Sequence, residues 1–128
     1  MVSRMRPRRE PGPAMLFAGD SGDLAAIRSR LADCAPDATG LVIIEVLNAM
    51  QIVPVDAPRG MGVHWVFRES RSGIAPRGSR LVAAVDAWLD EWMRPEGAVA
   101  VSIWLGARAS EPVVDFAARL DRELAASR

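Results

Sequence analysis

The run Leu41-Val42-Ile43-Ile44-Glu45-Val46-Leu47 decides the fold class. It is β-branched at its centre and almost continuously apolar, whereas a strand with one wet face alternates apolar and polar side chains. It therefore predicts a central strand of a parallel sheet, covered on both faces. Upstream, Ala14-Met15-Leu16-Phe17-Ala18-Gly19 has the same character and ends at a glycine and an acidic turn, which predicts a first buried strand. Between the two, Leu24, Ile27, Leu31 and Cys34 put one apolar stripe on a helix whose other face carries Arg28, Arg30 and Asp33. Pro36 and Gly40 close that helix.

Downstream, Asn48 to Gly62 reads as a loop with Pro54, Pro58, Gly60 and Gly62, one helical turn near Asn48 to Gln51 and a short extended piece at Ile52-Val53. Val63 to Phe67 predicts a third strand, with Arg68, Glu69 and Ser70 at its carboxyl end, and Arg71 to Gly78 a surface loop. Ser79 is placed to cap a helix buried through Leu81, Val85, Trp88 and Trp92 and ending before Pro95. Val99 to Leu105 predicts a fourth strand. Ser110, as a cap, opens a last helix with the stripe Val113, Phe116, Ala117, Leu120 and Leu124. Strands alternating with helices in this way predict an α/β fold: a three-layer, Rossmann-like parallel sheet of about four strands flanked by helices. Ligands of such sheets bind at the carboxyl ends of the strands. The segments to search are Gly19 to Asp23, Asn48 to Gln51, Arg68 to Gly73 and Gly106 to Ser110.

Composition narrows the function. The chain of 128 residues has 16 basic and 16 acidic side chains, so no overall field draws it to nucleic acid or to an anionic membrane surface. Neither nucleic-acid binding nor membrane insertion is expected, since no apolar run reaches the length of a span. Cys34 is the only cysteine and His64 the only histidine, which leaves no basis for a disulfide framework or a directly bound metal and points to the reducing cytoplasm. Residues 1–13, rich in arginine and proline, form a disordered basic arm without the apolar stretch of a secretory signal, and the domain runs from 14 to 128.

The order of landmarks resembles a known family. Ala18-Gly19-Asp20 before an amphipathic helix, then Ile44-Glu45-Val46, Ala57-Pro58, Trp65 with Arg68, and a strand ending at Trp104 resemble the siderophore-interacting proteins. The resemblance runs from about Met15 to Leu124 and lies in order and spacing, no single motif being decisive. It implies the NADPH-side, carboxy-terminal domain of an FAD-dependent ferric-siderophore reductase, a ferredoxin-reductase-like fold, with the flavin-binding barrel absent. On that basis NADPH is the implied cofactor and FAD enters only through a partner.

Departures from the family pattern bear on activity. Where the family reads Gly-Asp-Glu-Thr-Ala, this chain has Gly19-Asp20-Ser21-Gly22-Asp23; where it reads Trp-x-Ala-Gly-Glu, this chain has Trp104-Leu105-Gly106-Ala107-Arg108. The family's Gly-Tyr-Trp strand has no counterpart, since the chain contains no tyrosine. The chain by itself is not expected to complete the family's reaction, and no residue is assigned a catalytic role.

Candidate cofactor contacts are Gly19, Asp20, Ser21, Arg68, Ser70, Trp104, Gly106 and Arg108. The turn Asp20 to Asp23 offers the free N–H groups of a helix start to a pyrophosphate, yet its two carboxylates repel an anion, so it also reads as a self-capped turn. Arg68, with Arg71, Arg77 and Arg80, forms a local basic patch; the resemblance implies that Arg68 reads the NADPH 2′-phosphate, and a solvated loop is the other reading. Trp88 and Trp92 read as core or as a partner-facing patch, Trp104 as core or as a cleft border, and Cys34 as a small buried hydrophobe. Two functions fit these residues. One is a stand-alone nucleotide-side domain acting with a flavin-binding partner in iron release. The other is a non-catalytic binding or homodimeric assembly module with a degenerate nucleotide site.

Overall fold

The apolar runs become strands and the amphipathic stripes become helices in a computed structural model, which describes residues 13–92 and 101–126. Strand β1 (Ala14–Asp20) passes through a single 3-10 turn (Ser21–Asp23) into helix α1 (Leu24–Ala32). Strand β2 (Thr39–Val46), a second 3-10 turn (Ala49–Gln51) and strand β3 (Gly60–Phe67) follow. A hairpin of two-residue strands, β4 (Glu69–Ser70) and β5 (Gly73–Ile74), leads to helix α2 (Ser79–Trp92), strand β6 (Val101–Leu105) and helix α3 (Glu111–Ala126).

The main sheet has the order β3-β2-β1-β6 and is parallel throughout. Alternation along the strands splits the interior into two cores. Leu16, Ala18 and Ile43 face α2 and α3 and pack with Leu81, Val85, Leu89, Val113, Phe116 and Leu120. Phe17, Val42, Ile44 and Val46 face the other way and pack with Ile27 and Leu31 of α1. The three layers follow directly, α1 on one side and α2 with α3 on the other. Each fully buried Leu, Ile or Phe contributes about 1.5–3 kcal/mol of transfer free energy, so both layers are needed to hold the sheet.

Several local expectations change. Cys34 lies beyond the end of α1, half-buried, with its thiol against the Arg30 carbonyl at 3.3 Å. Strand β3 begins at Gly60 rather than Val63, and Ile52-Val53 forms no strand. The β2–β3 connection is the expected loop with one helical turn at Ala49–Gln51, and Arg28 of α1 fastens it by donating to the Pro54 carbonyl at 2.7 Å. Ser79 is the first residue of α2 rather than its cap, and its hydroxyl donates to the Pro76 carbonyl; Ser110 holds the position before α3, its hydroxyl donating to the Arg77 carbonyl. The expectations for the arm over 1–12, for residues 99 and 100, and for the side chains of Trp92 and Leu124 lie outside the described residues. No helix among the described residues is long and apolar enough to cross a membrane.

Candidate functional site at the strand ends

Because the four strands point one way, their carboxyl ends share one rim. The chain lays β1, β2 and β3 outward in succession, then returns to place β6 on the other flank of β1. The winding reverses between β1 and β6, and open sheets of this kind hold ligands at that reversal. Two regions of the rim follow, and they differ.

At the reversal, the crevice is filled from within. One carboxylate oxygen of Asp23 accepts from the Asp20 N–H at 2.9 Å and from the Ala107 N–H at 2.7 Å, joining the β1–α1 turn to the segment after β6. Asp20 reciprocates by accepting from the Gly22 N–H at 2.9 Å, so the two aspartates form a capping box. Ala107 holds a left-handed backbone, φ 54°, at its end of this contact. The close fit requires Gly106: a Cβ there would lie 2.5 Å from the Asp23 carboxyl. Burial and the neighbouring Asp23 charge raise the Asp20 pKa above the usual carboxylate range, with the Gly22 N–H and Arg77 acting in the opposite direction.

Over β1, β2 and β3 the rim is open. A cleft of about 410 Å³ is lined by Asp20, Ser21 and Gly22 after β1, by Val46, Leu47 and Gln51 after β2, and by Arg68 and Arg77. Gln51 is held by accepting from the Leu47 N–H at 2.6 Å. Arg68 is half-buried and pinned: its Nε donates to the Ala75 carbonyl at 3.1 Å, and its backbone N–H donates to the Val46 carbonyl at 2.9 Å. That single Nε contact fixes the guanidinium plane while using one of its five donors.

The cleft floor contains an acid that local sequence pattern does not single out. Glu45 is 2% exposed, and its two carboxylate oxygens accept from Gly78 N–H at 2.8 Å and from Leu81 N–H at 3.0 Å. A carboxylate from a central strand thus satisfies the orphan donors and positive dipole end of α2, the task assigned to Ser79. Gly78 itself has φ 89°, and a Cβ there would run into Ser110. The only sequence signal for this arrangement is an acid inside an otherwise apolar buried run.

Of the candidate contacts, the structure brings Asp20, Ser21 and Arg68 to the cleft and adds Arg77. Gly19 and Gly106 lie against Asp23 in the closed crevice. The others lie elsewhere. Trp104 packs on the α1 side of the sheet with Arg30 stacked on it, 4.9 Å to the ring centroid. Arg108 donates to the Leu105 carbonyl and borders a separate hollow with Ala117 and Asp121. Ser70 bonds within the hairpin, to Ser72 and to the Gly73 carbonyl.

Comparison with known proteins gives this arrangement a family. The pattern that defines siderophore-interacting proteins matches residues 13–121. The chain belongs to that family. Uncharacterised proteins of Mycobacterium tuberculosis and Mycobacterium bovis are 35% identical to it over 89 residues, 62% of this chain and 31% of theirs. The chain therefore spans less than a third of the length of the curated relatives it matches. Among solved structures, a siderophore utilization protein from T. fusca superposes with a TM-score of 0.60 at 26% identity, over 90% of this chain and 41% of that one. The siderophore-interacting protein SipS from Aeromonas hydrophila gives 0.54 at 20% identity, over 77% of this chain and 39% of that one. The family and the four-stranded α/β fold expected from the sequence are thus both found.

Proposed function

We propose that the domain is the nucleotide-side half of a ferric-siderophore reductase system, receiving NADPH at the rim cleft and working in the cytoplasm beside a flavin-binding partner that carries FAD. The observation behind this reading is Arg68: a guanidinium whose Nε is pinned, on the wall of an open cleft at the carboxyl ends of parallel strands. Arg68 and Arg77 suit a phosphate monoester, which a planar fork of donors grips in two places. NADPH, when bound, supplies a hydride; the contribution of this chain is to bind and orient it. The crevice at the reversal does not fit the pyrophosphate of the cofactor, because the Asp23 carboxylate already fills it.

Titration calorimetry with NADPH tests the reading. The expected dissociation constant lies roughly between micromolar and millimolar, weakened about tenfold or more by Arg68→Ala. Absence of heat up to several millimolar NADPH would remove the proposal. A second reading, a binding or homodimeric assembly module with a degenerate nucleotide site, is favoured by the filled crevice and by apolar side chains beside the rim, with Met50 93% and Ile74 60% exposed. Light scattering separates it, since a strict monomer at high concentration counts against a homodimer.

A further inference from the structure

We propose that Asp23 sets which anionic ligands this domain accepts: its carboxylate occupies the backbone N–H cradle between β1 and β6, excludes a diphosphate there, and confines recognition to a terminal phosphate met by Arg68 and Arg77. The first part stands on the crevice alone. The second rests on the nucleotide reading above.

The cradle has the character of an anion site that holds its own anion. Two backbone N–H groups from distant parts of the chain, Asp20 and Ala107, converge on one oxygen at 2.9 and 2.7 Å, within the range of charge-assisted bonds. Space for that oxygen exists because both neighbours lack a side chain. A Cβ on Gly19 would lie 2.6 Å from it, and one on Gly106 2.5 Å. Removing the Asp23 side chain therefore leaves an opening walled by two glycines, with two N–H donors aimed into it. With Asp23 present, a diphosphate would have to displace a carboxylate that is already well bonded, and would meet the second carboxylate, Asp20, in the same turn. Like charges this close repel at the effective dielectric of a protein, and two N–H donors do not offset that repulsion. Arg68 and Arg77 line the open cleft and carry charge of the opposite sign.

The test uses the full chain, Asp23→Ala and Asp23→Asn, titrated with inorganic pyrophosphate. The amide resonances of Asp20 and Ala107 are followed by NMR and the affinity by calorimetry. In the native chain these two amides should not respond to pyrophosphate. In Asp23→Ala they should shift, and pyrophosphate affinity should rise about tenfold or more, equivalent to about 1.4 kcal/mol. Asp23→Asn keeps an acceptor oxygen but no charge, so it should fold if the alanine variant does not, and should gain an intermediate amount. Response of the two amides in the native chain, or no gain in either variant, overturns the proposal. The nucleotide reading fails separately: NADPH affinity unchanged by Arg68→Ala removes the second part and leaves the pyrophosphate result for Asp23 standing.

Discussion

The two parts of the rim are built from the same strand ends and differ in what fills them. Between β1 and β6, Asp23 turns its carboxylate inward, accepts from the Ala107 N–H and closes the reversal of the sheet. Over β1 to β3, the buried acid Glu45 is turned away into the start of α2, so the cleft above it stays open with Arg68 and Arg77 on its wall. Both acids satisfy two backbone N–H groups, and both link segments far apart in sequence. One fills the space between two strand ends; the other anchors the start of the helix that follows the basic wall of the cleft. The fate of a carboxylate at the strand ends, rather than the sheet itself, separates a closed crevice from an open cleft.

The largest way to break the comparison is to remove the acid under the open cleft. Glu45→Ala leaves the buried Gly78 and Leu81 N–H groups without their acceptor and vacates space between β2 and α2. A loss of about 3 kcal/mol is expected, roughly 10 °C in melting temperature for a domain of this size. Glu45→Gln keeps one acceptor and should cost about half as much. Thermal and urea unfolding check both. Because Gly78 follows Arg77, NADPH affinity should fall in parallel with α2 order in Glu45→Ala; an undiminished affinity would show that this end of α2 does not shape the cleft.

A smaller effect sharpens the closed side. Gly106→Ala places a methyl group 2.5 Å from the Asp23 carboxyl, so one of them has to move. The expected cost is about 2 kcal/mol in the native background and below about 0.5 kcal/mol when combined with Asp23→Ala. Equal costs in the two backgrounds, read from urea midpoints, would mean that Gly106 answers to something other than Asp23. The exchange of residues at these positions relative to the family pattern then reads as one linked change: an acid at position 23 requires a glycine at 106.

What could be read from the sequence follows the range of each interaction. The four main strands and three helices were legible because apolar runs and stripes report local burial, as Val42 to Val46 and the series Leu81, Val85, Leu89 show. The β4–β5 hairpin was not, since two-residue strands carry no periodicity and Gly73 reads as loop. At the site, the acidic turn after β1 was visibly at odds with an incoming anion. That Asp23 reaches Ala107, and that Glu45 rather than Ser79 serves the start of α2, depends on contacts across the fold that spacing cannot encode. Trp104 and Arg108 show a related limit. Being near a strand end does not fix the direction of a side chain; strand parity sends Trp104 to the α1 side while its neighbour Leu105 joins the other core.

The smallest expected effect concerns the charge balance where the two regions meet, at Asp20. Its pKa is raised, by burial first and by the Asp23 charge second, so folding favours its protonated form. The contribution is therefore present below the ordinary carboxylate pKa of about 4, and is lost as pH rises through the raised value. Asp20→Asn keeps an acceptor for Gly22 N–H and cannot ionise. It should be more stable than the native chain at neutral pH, and the difference should vanish as the pH falls below the carboxylate range. Since Asp20 is only partly buried, added salt should shrink the difference as well. Arg77 opposes the shift, so Arg77→Ala should carry the native pH dependence upward in pH. If Asp20→Asn is no more stable than the native chain at neutral pH, the Asp20–Asp23 pair is not strained by its shared charge, and the capping box stabilises the turn in its fully ionised form.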